Sequence, residues 1–163
     1  LLWGDTMQQG FEPLHKTLQA SIETAGFILV EAKFLQKKSS VRAYITIYKD
    51  SGISTDDCSK VYWIVQPILL SWFHCDDEHL FIEVSSPGLD RVFKSPEEYG
   101  IFKGKVIKVI QKNGLVSIGT LLGSDTTQVF LQSGNEELAL PFEVIARASL
   151  FSDYSEHNAG GTH

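Results

Sequence analysis

Cysteine is scarce in this sequence, and its two cysteines are far apart. Cys58 and Cys75 are the only ones among 163 residues. We place them near opposite ends of one predicted helix, where 17 residues at ~1.5 Å per residue separate them by about 25 Å. A disulfide needs Cα atoms within about 7 Å of each other. Free thiols are typical of the reducing cytoplasm, so we predict a cytoplasmic protein.

Long hydrophobic runs are also absent. The longest candidate, residues 61–73, contains Gln66 and Pro67 and falls short of the ~18 residues that a membrane span needs. No contact with a membrane is therefore predicted. The first ten residues carry no basic segment and no small-residue cleavage site, so they predict no secretory signal. We expect residues 1–10 to be a flexible N-terminus and the polar residues 153–163 to be a disordered tail.

Motifs for nucleotide binding and hydrolysis are missing as well. The chain has no GxGxxG, no phosphate-binding loop ending in Gly-Lys-Ser/Thr, no GxSxG and no HExxH. One cluster, HCDDEH at residues 74–79, has side chains that suit a divalent ion. Six consecutive residues cannot all point at one ion, so a solvated turn is the preferred interpretation. We predict a protein that is not an enzyme and has no cofactor; an enzyme that uses this cluster is the least favoured alternative.

A local excess of positive over negative charge is found in one segment. Residues 1–90 carry 7 Lys and Arg against 12 Asp and Glu, whereas residues 91–112 carry six basic and two acidic side chains. Such a basic segment indicates either a solvated strand and linker or a contact to phosphate. The candidate binding residues lie in this segment and at the corner just before it. They are Asp90, Arg91, Lys94, Lys103, Lys105 and Lys108.

The first half of the chain predicts two helices. Apolar residues at positions 14, 18, 22 and 25 have helical spacing, and Gly26 provides a left-handed cap. A second helix is predicted from about residue 55 to residue 73, with Ser54 as its N-cap and a buried stripe that ends at Trp72. Pro67 lies inside this helix, so a kink or a break is expected there.

Three strands complete this half. Residues 27–36 and 41–49 are rich in β-branched and aromatic residues and predict a hairpin, and residues 79–84 predict a third strand. Aromatic and basic side chains such as Arg42 and Tyr44 alternate with apolar ones, so one face of the sheet is open to water or a partner. Such residues stack on nucleic acid, although ordinary amphipathic strands show the same pattern. The order of elements predicts an α+β sandwich over residues 11–88, with both helices on one face of the sheet.

From residue 102 onward the pattern changes to short strands. The segments are KVIKVI, LVSIGTLLG, TQVFLQ, EELALP and ARASLF, and Asn113-Gly114 between the first two is a strong hairpin signal. Five short strands in about 50 residues predict a small closed or half-closed β-barrel over residues 102–152. Pro87 and Gly88 have the order that a type II turn requires. We expect a domain boundary there, followed by a linker over residues 89–101.

The string LFIEVSSPGLDR, residues 80–91, resembles the signature of the ribosome maturation factor RimP family, in which a strand is followed by Ser-Pro-Gly-Leu-Asp-Arg at the junction of two domains. GFILVEAKF, YITIYKDSGISTDDCSKV, GIFKGKVIKV and the closing LPFEVIARASL are similar to the family in order and spacing. The resemblance covers about residues 11–151. The chain departs from the family at Val92, where proline is common, and in the last motif at residues 146–148.

The resemblance implies a non-enzymatic assembly factor with a KH-like N-terminal domain and an SH3-like or Sm-like C-terminal barrel. It implies binding to the free small ribosomal subunit. There the protein would help a strongly basic ribosomal protein, the twelfth of that subunit, to join ribosomal RNA near the decoding region. We expect a monomer whose acidic N-terminal domain attracts the basic protein while the basic segment faces phosphate. The alternative is a stand-alone RNA-binding module or RNA chaperone that acts without the ribosomal protein.

Overall fold

A computed structural model describes residues 10–152, which form a mixed α and β protein. The chain folds into two compact units, the first ending at Pro87 and the second starting at Gly88. The predictions of a flexible start over residues 1–10 and a disordered tail over residues 153–163 fall, apart from Gly10, outside the described residues. Within the described range, no helix is both long enough and apolar enough to cross a bilayer.

The first unit has two helices and a three-stranded sheet. Its elements are α1 (Glu12–Thr24), β1 (Ile28–Lys37), β2 (Ser40–Tyr48), α2 (Thr55–Phe73), a 3₁₀ turn (Asp77–His79) and β3 (Leu80–Ser85). β1 and β2 form an antiparallel hairpin, and β3 pairs parallel to β2, which is the central strand. The predicted order of helix, strand, strand, helix and strand is confirmed.

The core of this unit lies between the helices and one face of the sheet. The central apolar positions of both helices are fully buried, and every second residue of β2 is also buried. Three phenylalanines close one end of this core, with ring centroids 5.2 to 5.9 Å apart. The buried residues from α1, α2 and β2 are Leu14, Leu18, Ile22, Val61, Val65, Leu69, Val41, Ala43, Ile45 and Ile47.

α2 begins with the predicted cap. The Asp57 N–H donates to Ser54 Oγ at 3.1 Å, and the Ser54 N–H donates back to Asp57 Oδ2 at 2.9 Å, which makes a reciprocal capping box. The bond from the Ser54 N–H stabilises the carboxylate and lowers the pKa of Asp57. α2 then continues through Pro67 to Phe73 without a break. Pro67 lacks the N–H that would bond to the Trp63 carbonyl, and both residues are exposed.

One residue of the predicted buried stripe is misplaced. Trp72 is 38% exposed. Val61, Val65 and Leu69 recur every four residues, so the next inward position is Phe73, which packs against Phe34. The prediction that Trp72 is buried is therefore wrong.

The second unit is built on a five-stranded antiparallel sheet. Its elements are α3 (Glu97–Ile101), β4 (Val106–Gln111), β5 (Val116–Ser124), β6 (Gln128–Ser133), β7 (Glu136–Pro141), a 3₁₀ turn (Phe142–Val144) and β8 (Ile145–Leu150). The strand order is β7-β6-β5-β4-β8, so the sequence neighbours β7 and β8 lie at opposite edges. All five short strands that the sequence predicts are present.

Most of the stretch predicted as a linker is folded into the second unit. The Phe93 N–H donates to the Ala148 carbonyl and the Leu150 N–H donates to the Arg91 carbonyl, both at 2.9 Å. Val92 also forms an antiparallel bridge with Ser149. Residues 91–93 therefore run along the edge of β8 and bond to it. The prediction treated residues 89–101 as a linker because three bonding residues are too few to give a strand pattern.

The turn at the boundary between the units also differs from the prediction. Gly88 does not have a positive φ, so a type II turn with Gly88 in its third position is wrong. The Arg91 N–H donates to the Gly88 carbonyl at 3.1 Å, which places Leu89 and Asp90 at the centre of a turn that starts two residues later than predicted.

Candidate functional site

Arg91, one of the predicted binding residues, is engaged inside the second unit. Its side chain is 9% exposed; Nε donates to Glu98 Oε1 at 2.7 Å and Nη2 donates to Glu98 Oε2 at 2.9 Å. The Lys94 N–H donates to the same Oε2 at 3.0 Å. Glu98 is 2% exposed, so this is a buried bidentate ion pair. Its geometry assigns Arg91 to the folding of the second unit and does not present its guanidinium to a ligand.

Aromatic rings pack around this ion pair. The ring of Phe93 lies edge-on to Tyr99 at 4.9 Å and stacks on Phe102 at 5.3 Å. Burial raises the pKa of Tyr99 to about 12, and the neighbouring charge of Glu98 acts in the same direction. The segment before α3 and α3 itself are thereby fixed to the strands of this unit. The family signature that ends in Asp90-Arg91 thus has a structural function here.

Alternation along residues 91–94 sorts their side chains onto two sides. Phe93 is buried and the Arg91 side chain is only 9% exposed, so both point inward, whereas Val92 is half-buried and Lys94 is exposed. Val92 bridges Ser149, which is itself the register partner of Lys108 on β4. Two predicted binding residues, Lys94 and Lys108, therefore share the outer side of this layer. Asp90 is exposed within the preceding turn.

The other two predicted lysines lie in the turn that leads into β4. Lys103 and Lys105 are both exposed on either side of Gly104. The Gly104 N–H donates to the Leu121 carbonyl and the Leu121 N–H donates to the Lys105 carbonyl, each at 2.8 Å, so this turn extends the ladder between β4 and β5. Both lysines are therefore held by backbone bonds at the end where β4 begins.

β4 and its neighbours expose apolar residues around Lys108. Val106, Val116 and Ile118 are 41%, 52% and 40% exposed, and Lys108 pairs directly with Ile118. Arg147 of β8 is exposed beside Ile110, which has the same parity as Lys108. We name Val106, Lys108, Val116, Ile118 and Arg147 the β4 outer face. A cluster of exposed apolar side chains of this kind is typical of an interaction surface.

The lysines of this surface were predicted from the sequence, but its apolar residues were not. A signal for it exists in KVIKVI: Ile107 and Val109 face the core, yet Val106 and Ile110, on the opposite parity, are also apolar. A strand with water on one side alternates, so apolar residues on both parities indicate a second covered face. Arg147 was missed because its place beside β4 depends on pairing across 37 residues of sequence.

The histidine-rich turn of the first unit does not assemble a metal site. His74 ends α2 with a left-handed φ of 52°, and His79 bonds through Nδ1 to the carboxylate of Asp76. That bond, and then the charge of Asp76, raises the pKa of His79. Among residues 10–152, no three His, Cys, Asp or Glu side chains are grouped so that they could hold a metal ion.

Neither cysteine is activated as a nucleophile. Both thiols are free and half-buried. Burial raises the pKa of Cys58, and the charge of Asp57 adds to it; burial and the charge of Asp76 likewise raise the pKa of Cys75. A reactive cysteine needs a lowered pKa, so these positions favour structural roles.

The fold of the first unit agrees with a comparison against protein families. Residues 17–90, which run from α1 to the turn after β3, match the family model of the RimP N-terminal domain. Residues 17–90 therefore form a domain of a family of ribosome maturation factors. That family is RimP, and the resemblance found in the sequence is confirmed.

A comparison with solved structures finds a partial likeness. A crystal structure of the pleiotropic translational regulator Hfq matches 32% of this chain and 92% of its own chain, with 20% identical residues and a TM-score of 0.32. At so low a TM-score the likeness does not establish a shared fold.

Proposed function

We propose that this protein is a non-enzymatic assembly factor that binds the free small ribosomal subunit. It promotes the incorporation of the strongly basic ribosomal protein that joins ribosomal RNA near the decoding region. The observation that carries this proposal is the RimP N-terminal domain at residues 17–90. The protein acts in the cytoplasm as a monomer, and its two free cysteines are consistent with that compartment.

The proposal includes a KH-like first domain and an SH3-like or Sm-like second domain. The order of α1, β1, β2, α2 and β3 supports the first assignment. Five short antiparallel strands with a 3₁₀ turn before the last one support the second.

The β4 outer face and the adjoining Lys103 and Lys105 are the proposed contact with the subunit. Lysine side chains neutralise phosphates and release counterions, which gives affinity that falls with salt. When the apolar residues between them pack against protein or sugar, they are removed from water, and this burial favours binding. The first 90 residues carry a net charge of −5, which favours the approach of a basic ribosomal protein.

Sedimentation tests the proposed target. Purified protein is mixed with small subunits, large subunits and full ribosomes and is fractionated on sucrose gradients. We expect it to travel with free small subunits and to be absent from full ribosomes. Equal recovery with all three particles contradicts the proposal. Tight binding to naked ribosomal RNA that does not change when the basic ribosomal protein is omitted favours the stand-alone RNA chaperone instead.

Charge reversal tests the proposed surface. The double variant Lys105→Glu with Lys108→Glu is compared with Lys16→Glu with Lys60→Glu, two exposed lysines on the helices of the first unit. The two variants have the same net charge, so a general charge effect moves both equally. If Lys105 and Lys108 both contact phosphate, the slope of log K against log salt becomes shallower by about 1.4 to 1.8 in the first variant alone. Identical slopes in both variants contradict the assignment of this surface.

A further inference from the structure

The first unit has a sheet face that its helices leave uncovered. On β2, Ala43, Ile45 and Ile47 are fully buried under the helices, so the residues between them point to the opposite side. At the hairpin end, Arg42 lies between Leu35 of β1 and Phe81 of β3. Phe81 is 50% exposed, and the Arg42 guanidinium carbon lies 5.2 Å from the centroid of its ring.

The next row of this face continues the pattern. Tyr44 lies between Lys33 of β1 and Glu83 of β3. Alternation along β1 places Lys37 on the same side as Lys33. The hairpin end of the face therefore combines two aromatic rings with three cations, although the first 90 residues are acidic overall. One carboxylate of this face, that of Glu83, lies at the β3 margin, and a second, that of Glu31, lies in the next row away from the hairpin end, where Glu31 pairs with Thr46.

A polar cleft lies at the same end of the sheet. Lys37 and Lys38 in the hairpin turn line it together with His74 and His79, and Asp76 is its acidic side chain. Cations thus continue from the open face around the end of the hairpin.

We propose that the hairpin end of the open sheet face binds single-stranded RNA, with bases stacked on Phe81 and Arg42 and phosphates near Lys33 and Lys37. Unpaired bases stack on exposed aromatic rings and on the planar guanidinium group of arginine, and cations beside the rings hold the backbone. A basic protein segment is a poor match, because three cations repel it. Paired bases cannot reach a flat protein face to stack on it.

This inference does not depend on the proposed function. The site belongs to the first unit and contains none of the residues assigned to the subunit contact. RNA binding here and sedimentation with small subunits are separate measurements, so either can fail while the other stands.

The test uses a fluorescein-labelled single-stranded RNA of mixed sequence and fluorescence anisotropy at low salt. Loss of one stacked base raises the Kd about five- to 150-fold, and we expect this for Phe81→Ala. Phe81→Trp keeps a stacking surface and retains binding. The control is Trp63→Ala, which removes an aromatic ring that is 65% exposed on α2; it leaves the Kd unchanged. Glu83→Gln removes a negative charge beside the site and lowers the Kd.

Two further measurements locate the ligand. The same RNA as a duplex should compete weakly, and 4-thiouridine cross-links should map to peptides that contain Arg42, Tyr44 or Phe81. Equal RNA affinity of Phe81→Ala and Trp63→Ala, or cross-links confined to the second unit, overturns the proposal. If Phe81→Ala loses binding to a basic ribosomal protein while its RNA affinity is unchanged, the proposal is also overturned, and the face is assigned to a protein. Because Phe81 and Arg42 are exposed, circular dichroism should show that each variant remains folded.

Discussion

Removing the guanidinium of Arg91 should strongly destabilise the second unit. Both carboxylate oxygens of Glu98 bond to Arg91, at 2.7 and 2.9 Å, and the side chains are 9% and 2% exposed. In Arg91→Ala the carboxylate of Glu98 stays buried and retains the bond from the Lys94 N–H. Breaking a buried pair in this way costs about 3–5 kcal/mol. That is a large part of the roughly 5–15 kcal/mol that stabilises an ordinary domain.

The loss in free energy of unfolding should disappear when both charges are removed together. Replacing a buried ion pair by apolar residues of similar volume is often neutral or stabilising by about 1–4 kcal/mol, because neither group is then left charged in the interior. The double variant Arg91→Met with Glu98→Leu should therefore be far more stable than Arg91→Ala. The matched control is Arg147→Ala, which removes an exposed arginine from β8 of the same unit and should cost less than about 1 kcal/mol.

Urea unfolding followed by circular dichroism gives the free energies, and hydrogen exchange shows which unit is affected. The sequence places all three tryptophans before residue 73, so tryptophan fluorescence does not follow the second unit. Amides of β4 such as Ile107 and Val109 should lose protection in Arg91→Ala, because residues 91–93 pair with β8 and β8 pairs with β4. A cost below about 1 kcal/mol for Arg91→Ala, equal to that of Arg147→Ala, would refute the assignment of Arg91 to a structural pair.

Three further predictions concern the first unit. Ser54→Ala removes the cap of α2 and should lower the free energy of unfolding by about 1 kcal/mol, measured in urea; no change would show that the capping box with Asp57 does not stabilise α2. His74 has a left-handed backbone, so His74→Gly should raise the free energy of unfolding by about 1 kcal/mol in the same assay. A lower free energy of unfolding in His74→Gly would contradict this. NMR titration should give His79 a pKa above 6.5 that falls in Asp76→Asn. Because the folded pKa is the raised one, this pair stabilises the fold below the unfolded pKa and loses that contribution as the pH rises through the folded pKa.

Local signals predicted most elements of both units. Ser54 followed three residues later by Asp57 specifies a helix start through bonds within four residues of sequence, and that pattern is readable without a structure. Asn113-Gly114 in the same way specifies a turn from its own two residues. Such features depend on neighbours in the chain, so tertiary contacts seldom overrule them.

Features that depend on distant residues could not be predicted. From the sequence alone, Arg91 is predicted to be a surface cation at a polar turn. Only the packing of α3 shows that Arg91 bonds to Glu98 inside the fold. Val92 pairs with a strand 57 residues later in the chain, so the segment was predicted to be a linker. The exposed apolar part of the β4 outer face was missed for a different reason. Apolar residues on both parities of KVIKVI signal a second covered face, but strand periodicity does not identify what covers it.

The measurement that tests the proposed function most directly is the protein composition of small subunits from cells that lack this chain. Free small subunits are isolated on sucrose gradients and their proteins are quantified by mass spectrometry. The proposed function predicts a specific shortage of the basic ribosomal protein of the decoding region, restored by the wild-type chain and poorly restored by Lys105→Glu with Lys108→Glu. A full complement of that protein in free small subunits without this chain would contradict the proposed function.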